Sequence, residues 1–468
     1  MTNENSSNSL GEDSASTGKM VSYSFTEFIN SMIFAAYGFL VFYYYEVEIG
    51  LPVALVGIAL IIWALWNMVN DPLVGYLTDK PMGWAEKWGV RRPWIFISAI
   101  LTIIFFFLIF TPPAIDASNT ITVFLYLIIM TALFDTFYSL YTAHYRGGFA
   151  AQFRTDDDRR KASGIMRLTG VIGALGVTAV LIPMIIVFGD PSSFVRLVLV
   201  LSILMGVAMV IMFPGTKESE EVKKRYMIGY EQKERIGFWK LLRVAITSKN
   251  YMLVVTAYTL FNIAMVMVLS NMFYFIKDVL NAPATAIALV LLPYVVALYI
   301  SVFIWIRVAK RIGPIKVLYI CLLCLTPIFL SALLITNIFQ FMILNVVAGI
   351  CFGGINAMIM ACQSDTYDEI TLECECHQEG TLVGISYFFL RVSYLVVAAL
   401  IAIVHILTDY NPNPDATQTP LAILGVRLLY GGFTAIACFI GGIILYLWYD
   451  LKGQKLRELK TKLRECGL

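Results

Sequence analysis

Twelve apolar runs, each long enough to cross a bilayer as a helix, constrain this chain more than any other feature. They fall at about 24–46, 53–77, 94–111, 120–145, 162–188, 194–213, 252–276, 283–306, 314–335, 338–362, 380–407 and 421–448. A helix rises about 1.5 Å per residue, so roughly 20 apolar residues cross the hydrocarbon layer. Lipid offers backbone amides no partner, so such runs must close their hydrogen bonds internally, as helices. Of the 468 residues, 59% are hydrophobic and only 14% are charged, a balance that excludes an ordinary soluble domain. The expected fold is all-α and integral to a membrane.

The basic residues orient it. Of 34 Lys and Arg, 29 fall in the N-terminal tail, the even-numbered connections and the C-terminal tail. Lys87, Arg91 and Arg92 follow the second run, and Arg159, Arg160 and Lys161 follow the fourth. Arg196 and Lys277 are the exceptions in odd-numbered connections. The positive-inside rule therefore places both termini in the cytoplasm, with a multi-pass protein in the plasma membrane. Residues 1–22 read as a disordered cytoplasmic tail without an apolar core, not a signal peptide; the first helix then serves as an uncleaved anchor. The eight cysteines make no disulfide framework, since those outside the apolar runs (Cys374, Cys376 and Cys466) lie on the reducing side. Cys374-Glu375-Cys376-His377 lacks a second ligand pair, so neither a metal nor an organic cofactor is expected.

The longest polar segment, 214–250, carries nine Lys or Arg interleaved with Glu and divides the chain near its middle. The implied units are a six-helix bundle over 23–213, a central cytoplasmic loop over 214–250, a second bundle over 251–448 and a tail over 449–468. The halves echo each other. Gly75-x-x-x-Asp79-Lys80 and Gly89-x-Arg91-Arg92 follow the second run, and Arg307-x-x-x-Arg311-x-Gly313-x-x-Lys316 follows the eighth. A basic, glycine-containing turn at the same place in each half fits the six-plus-six organisation of major facilitator superfamily transporters. Gly75, Asp79, Lys80, Arg91 and Arg92 are accordingly candidate cytoplasmic-gate residues.

Charged side chains inside such runs are costly and mark functional sites by default. The second run holds Asn67, Asn70 and Asp71, at i, i+3 and i+4 on one helix face. Three oxygen-bearing side chains there can neutralise a small cation or a proton. The fourth run holds Asp135 in a polar stripe with Thr131, Tyr138, Ser139 and Thr142. Arg167 and Arg391 are the guanidiniums of the fifth and eleventh runs. Asp135 and Arg167, on consecutive helices, are expected to pair. The competing readings are a hydrogen-bond knot at Asp71, a purely structural ion pair at Asp135 and a cavity seal at Arg391. Glu27 and Glu46 lie near helix ends, where reaching toward water is easy, and are read as without a role in transport.

These residues resemble those of the glycoside–pentoside–hexuronide:cation symporter family, the relatives of melibiose permease. The resemblance rests on Phe42-Tyr43-Tyr44-Tyr45 with Gly50-Leu51 and Leu55-Val56-Gly57, and on Asn70-Asp71-Pro72-Leu73-Val74-Gly75 with Arg91-Arg92-Pro93-Trp94. It continues in Asp365-Thr366-Tyr367-Asp368-Glu369 with Glu379-Gly380, and in Gly425-Val426-Arg427-Leu428-Leu429. Vertebrate sodium-dependent lysophosphatidylcholine symporters share the Asp-Pro-Leu-Val-Gly core. The resemblance implies that Asp71 and Asn70 belong to a cation site and that Asp135 binds sugar hydroxyls. It implies that Arg167 lies near the sugar and that Arg391 links the two sites. Asn67 stands where the family has a cation-site Asp, Ala132 where it has a Thr, and Ser31 where it has a sugar-binding Asp.

The resulting expectation is a secondary active transporter, not an enzyme. It would move a sugar, glycoside or similar small polyhydroxylated solute with a coupling cation, H+ or Na+, by alternating access. Asp71, Asn70 and Asn67 would bind the cation; Asp135, Arg167, Tyr138, Arg391 and Ser31 would bind substrate. The lone carboxylate of the second run favours protons. A lysolipid transporter is the alternative within transport, and a non-transporting receptor or scaffold the alternative outside it. The expected partners are a small-molecule substrate and membrane lipid but no nucleic acid, and the chain is expected to be a monomer.

Overall fold

Each apolar run forms a helix. The computed structural model describes residues 15–78, 85–115, 118–153, 156–220, 222–223, 238–374 and 379–466, and among them twelve helices are long and apolar enough to span a membrane. We number them α1 (Thr17–Glu48), α2 (Val53–Thr78), α3 (Arg92–Ile109), α4 (Thr120–Gln152), α5 (Asp158–Ile185) and α6 (Pro191–Met212). The second half comprises α7 (Lys249–Val279), α8 (Ala286–Ile312), α9 (Pro314–Leu334), α10 (Ile338–Cys374), α11 (Glu379–Leu407) and α12 (Pro420–Trp448).

Three boundaries differ from the sequence reading. α1 begins at Thr17, inside the expected tail, with Ser16 capping the Lys19 N–H. Met20 and Tyr23 bury themselves against Phe153 and Ala162, which makes the extra turn worthwhile. Phe238–Thr247, within the expected loop, is a helix that seats Leu241 and Ala245 on Tyr251, Tyr367 and Ile385. Gln454–Cys466, within the expected tail, is another; its Lys460 pairs with Asp365 of α10 at 2.9 Å.

The packing repeats with a shift of six helices. α1 lies against α5 and α6, α4 against α2 and α3, and α3 against α6; α7 lies against α11 and α12, α10 against α8 and α9, and α9 against α12. Between the halves, α1 packs on α7, α2 on α11 and α5 on α8. The last two pairs exchange when the halves are swapped, as a pseudo-two-fold axis requires.

The halves close at their outer ends, opposite the termini. Phe39 and Tyr43 of α1 meet Phe273 of α7, the latter edge-on at 5.2 Å. A Cβ on Gly57 of α2 would stand 2.7 Å from Ala402 Cβ of α11. At the inner end of α11 a Cβ on Gly384 meets nothing within 4 Å. The α2–α11 pair is thus tight at its outer end, while α11 is uncovered at Gly384. Glycine at 57 is a condition of outer closure, because overpacking such a contact costs about 1–3 kcal/mol. Gly57→Ala should therefore hold the outer face ajar and cut net uptake about tenfold. Ala402→Gly in the same chain should restore it. Unchanged uptake in Gly57→Ala would mean that the contact yields.

Candidate coupling and substrate site

Asp135 of α4, 1% exposed, is held by two carboxamides of α2. Asn67 Nδ2 donates to Asp135 Oδ1, and Asn70 Nδ2 donates to Asp135 Oδ2 at 3.2 Å. Asn67 Oδ1 is buried with no hydrogen-bond partner. A carboxylate in so dry a position needs such donors. On the outer side the site is walled by rings. Tyr37 stacks on Phe134 at 5.4 Å and lies 4.9 Å from Trp63, which meets Tyr394 of α11 edge-on at 5.4 Å.

Asp71, the next polar residue of α2, faces a different partner. Arg391 of α11 donates to Asp71 Oδ2 from Nη2 at 2.7 Å and from Nε at 3.2 Å. Ser139 of α4 donates to Asp71 Oδ1. The expectation of one face carrying Asn67, Asn70 and Asp71 toward one ion is therefore amended. The helix advances about 100° per residue. Asn70 and Asp71 consequently diverge, and only the two carboxamides turn to Asp135. The Asp71–Arg391 pair joins the N-terminal half to the C-terminal half.

The expected Asp135–Arg167 ion pair is not formed. Asp135 is taken by Asn67 and Asn70, whereas Arg167 is exposed on α5. Sequence reading places Arg167 at a depth but not on a side of its helix, and the side decides. Ser31 and Tyr138 join a second polar cluster below the first. Glu27 Oε1 accepts from Asn30 Nδ2 at 3.0 Å and from Ser31 Oγ at 3.4 Å. Glu27 Oε2 accepts from Tyr145 OH at 2.7 Å, and Tyr138 OH donates to Asn30 Oδ1 at 2.7 Å. Arg146 Nε donates to Tyr145 OH at 3.3 Å, and the guanidinium lies 5.9 Å from the ring of Tyr387 on α11. Glu27 is thus half-buried and engaged, contrary to the expectation that it reaches water. The signal was present: Glu27, Asn30 and Ser31 stand at i, i+3 and i+4.

Of the candidate gate residues, Arg91 and Arg92 make contacts within their own half. Glu218, after α6, accepts the backbone N–H groups of Val90 at 2.7 Å and Arg91 at 2.8 Å. Arg92 lies over the ring of Phe213 at 4.1 Å and donates to its carbonyl at 3.4 Å. Gly75 lies in the last turns of α2; Asp79 and Lys80 lie outside the described residues, as do Glu375, Cys376 and His377.

The family description MFS/sugar transport protein matches residues 22–453. This chain is a member of that family. It is a transporter of the symporter type rather than an enzyme, a multi-pass protein of the plasma membrane, and it acts on a small-molecule substrate. An uncharacterized symporter of Bacillus subtilis (strain 168), YjmB, is 24% identical over 97% of this chain and 96% of its own length. A lactose permease of Leuconostoc lactis is 26% identical over 50% of this chain and 36% of its own length. A sodium-dependent lysophosphatidylcholine symporter of Danio rerio is 20% identical over 86% of this chain and 80% of its own. Among solved structures, the nucleoside transporter NupG superposes with a TM-score of 0.63 at 12% identity, covering 91% of this chain and 99% of that one. That likeness shows the fold of this MFS/sugar transport protein: two six-helix bundles. The resemblance to the glycoside–pentoside–hexuronide symporters holds.

Proposed function

We propose that this protein couples proton movement to uptake of a sugar, glycoside or similar small polyhydroxylated solute by alternating access. The observation that carries the reading is the Asp71–Arg391 ion pair between the halves, one helical turn from the Asp135–Asn67–Asn70 cluster. A cation arriving here competes with Arg391 for Asp71, so ion binding and the fit between the halves are linked. Both oxygens of Asp135 face amide donors. A sodium ion would need several oxygens turned inward at once, whereas the O–H of a protonated Asp135 needs a single acceptor. The Glu27–Asn30–Ser31–Tyr138 cluster supplies acceptors and donors of the kind that bind hydroxyl groups, and Tyr387 supplies a ring face nearby.

A lysolipid or other amphiphile is the second reading. It is supported by the named lysophosphatidylcholine symporter, matched over 80% of its own length. Uptake into proteoliposomes separates the readings. A panel of radiolabelled mono- and disaccharides and lysolipids is offered with either an inward proton gradient or an inward sodium gradient at equal pH. The expected result is accumulation of a saccharide, driven by protons and abolished by a protonophore. Sodium-driven uptake that ignores the protonophore would overturn proton coupling. Accumulation of lysolipid alone would overturn the saccharide reading.

A further inference from the structure

Glu46 was expected to reach water from the end of α1. Instead it is 1% exposed and sits at the junction of the two halves. Its Oε2 accepts from Tyr274 OH of α7 at 2.6 Å, and its Oε1 lies 2.7 Å from His405 Nδ1 of α11. His405, 2% exposed, stacks on Tyr410 at 4.3 Å and meets Tyr274 at 5.0 Å. Tyr410 OH donates to Asp278 Oδ2 at 2.7 Å, and Asp278 pairs with Lys277 at 3.1 Å. On the other side Glu48 Oε1 accepts the Gly189 N–H of the α5–α6 turn at 3.0 Å. Polar side chains thus line the outer seam on both sides, and the Glu46 carboxylate bonds to two side chains of the opposite half.

The backbone is built for this placement. α1 and α7 each end in a turn of π-helix, Tyr44–Glu48 and Phe275–Val279, in which Ile49 N–H bonds to Tyr44 O and Leu280 N–H to Phe275 O. Each turn is followed by a residue of positive φ, Gly50 at 81° and Asn281 at 48°. Repeat-related π-turns are rare and tend to occur at functional sites. Glu46 lies within the first of these turns, and Tyr274 immediately precedes the second.

We infer that Glu46 is a positioning residue of the transport cycle, whose hydrogen bonds to Tyr274 and His405 latch the outer face shut. When the halves part on the outer side, both bonds break together, so their strength sets the balance between the outward- and inward-facing forms. A buried carboxylate deprived of these partners is costly, which makes the latch close fully or not at all. The inference needs only that the halves separate; it is independent of which solute or cation is carried.

The test uses the full-length protein with no substrate. Ser270→Cys on α7, which donates to Gly38 O of α1 across the closed seam, reports outer opening by its labelling with an impermeant maleimide from outside. Gly384→Cys reports the inner opening from inverted vesicles; it lies on the same α11 face as Arg391, seven residues on. Glu46→Ala should raise labelling at 270 about tenfold, as for the loss of a hydrogen bond to a charged group, and should lower labelling at 384. Glu46→Gln keeps an acceptor for the imidazole but sets an amide donor against the Tyr274 hydroxyl, and should raise labelling at 270 by less than Glu46→Ala does. If Glu46→Ala raises labelling at both positions, the residue merely holds the fold together. That result, or no change at either position, overturns the latch.

Discussion

Asp71→Asn should abolish gradient-driven uptake while leaving the protein folded. The substitution keeps the shape of the side chain and its bond to Ser139 but removes the charge that faces Arg391. Two consequences follow. The guanidinium of Arg391, with 22% of its side chain exposed, loses its counter-charge inside the membrane. The carboxylate that a coupling cation would neutralise is also gone, so binding of the cation no longer changes the fit between α2 and α11. Breaking a buried pair by removing one partner costs about 3–5 kcal/mol. The pair here is partly wet, so the lower end applies, and net uptake should fall about a hundredfold. Exchange of labelled for unlabelled substrate needs no net cation movement, and the amide oxygen of Asn can still accept from Arg391, so exchange should fall much less than net uptake and less than in Asp71→Ala. Uptake and exchange measured on the same proteoliposomes separate the two effects. An accumulation ratio equal to that of the unmodified protein would end the coupling role of Asp71.

The fold was legible because hydrophobic length and basic asymmetry are both properties of short stretches of chain. Each span can be read without knowing its neighbours, and a span with the wrong orientation would have broken the alternation of Lys and Arg. Asp71, Asp135 and Arg391 were legible for a related reason. A charge in a lipid-length run must be met by something, so its presence implies a site even before its partner is known.

What was not legible is who meets whom. Arg167 and Arg391 are equally plausible partners for a carboxylate until the helices are packed. The sequence gives depth through the rise per residue but leaves the facing side of each helix undetermined. Packing turned Arg391 toward Asp71 and left Arg167 on an exposed face. Glu46 was missed for the opposite reason. Its place near a helix end made an exposed head group the ordinary expectation. Its partner His405 lies 359 residues away, and nothing in either segment announces the other. The π-turn that contains Glu46 also lacks a sequence signature of its own. Glu218 escaped notice because it accepts backbone N–H groups, which every residue but proline supplies.

The pairing can be measured directly. In a double-mutant cycle, Asp71→Ala and Arg391→Ala should each impair exchange severely, because each leaves a lone charge between the halves. The double substitution removes both charges, so its loss should fall short of the sum by about 1–3 kcal/mol, the coupling expected of residues in contact. Asp135→Ala and Arg167→Ala form the matched control. Asp135 is bound by Asn67 and Asn70, and Arg167 is exposed on α5. Their effects should add within about 0.5 kcal/mol, as for independent sites. Exchange rates of the six variants against the unmodified protein, taken as free energies, give both coupling terms. Additive losses at Asp71 and Arg391 would mean that the ion pair does not join the halves during transport. Strong coupling between Asp135 and Arg167 would mean that the helices repack to bring those two charges together in another stage of the cycle.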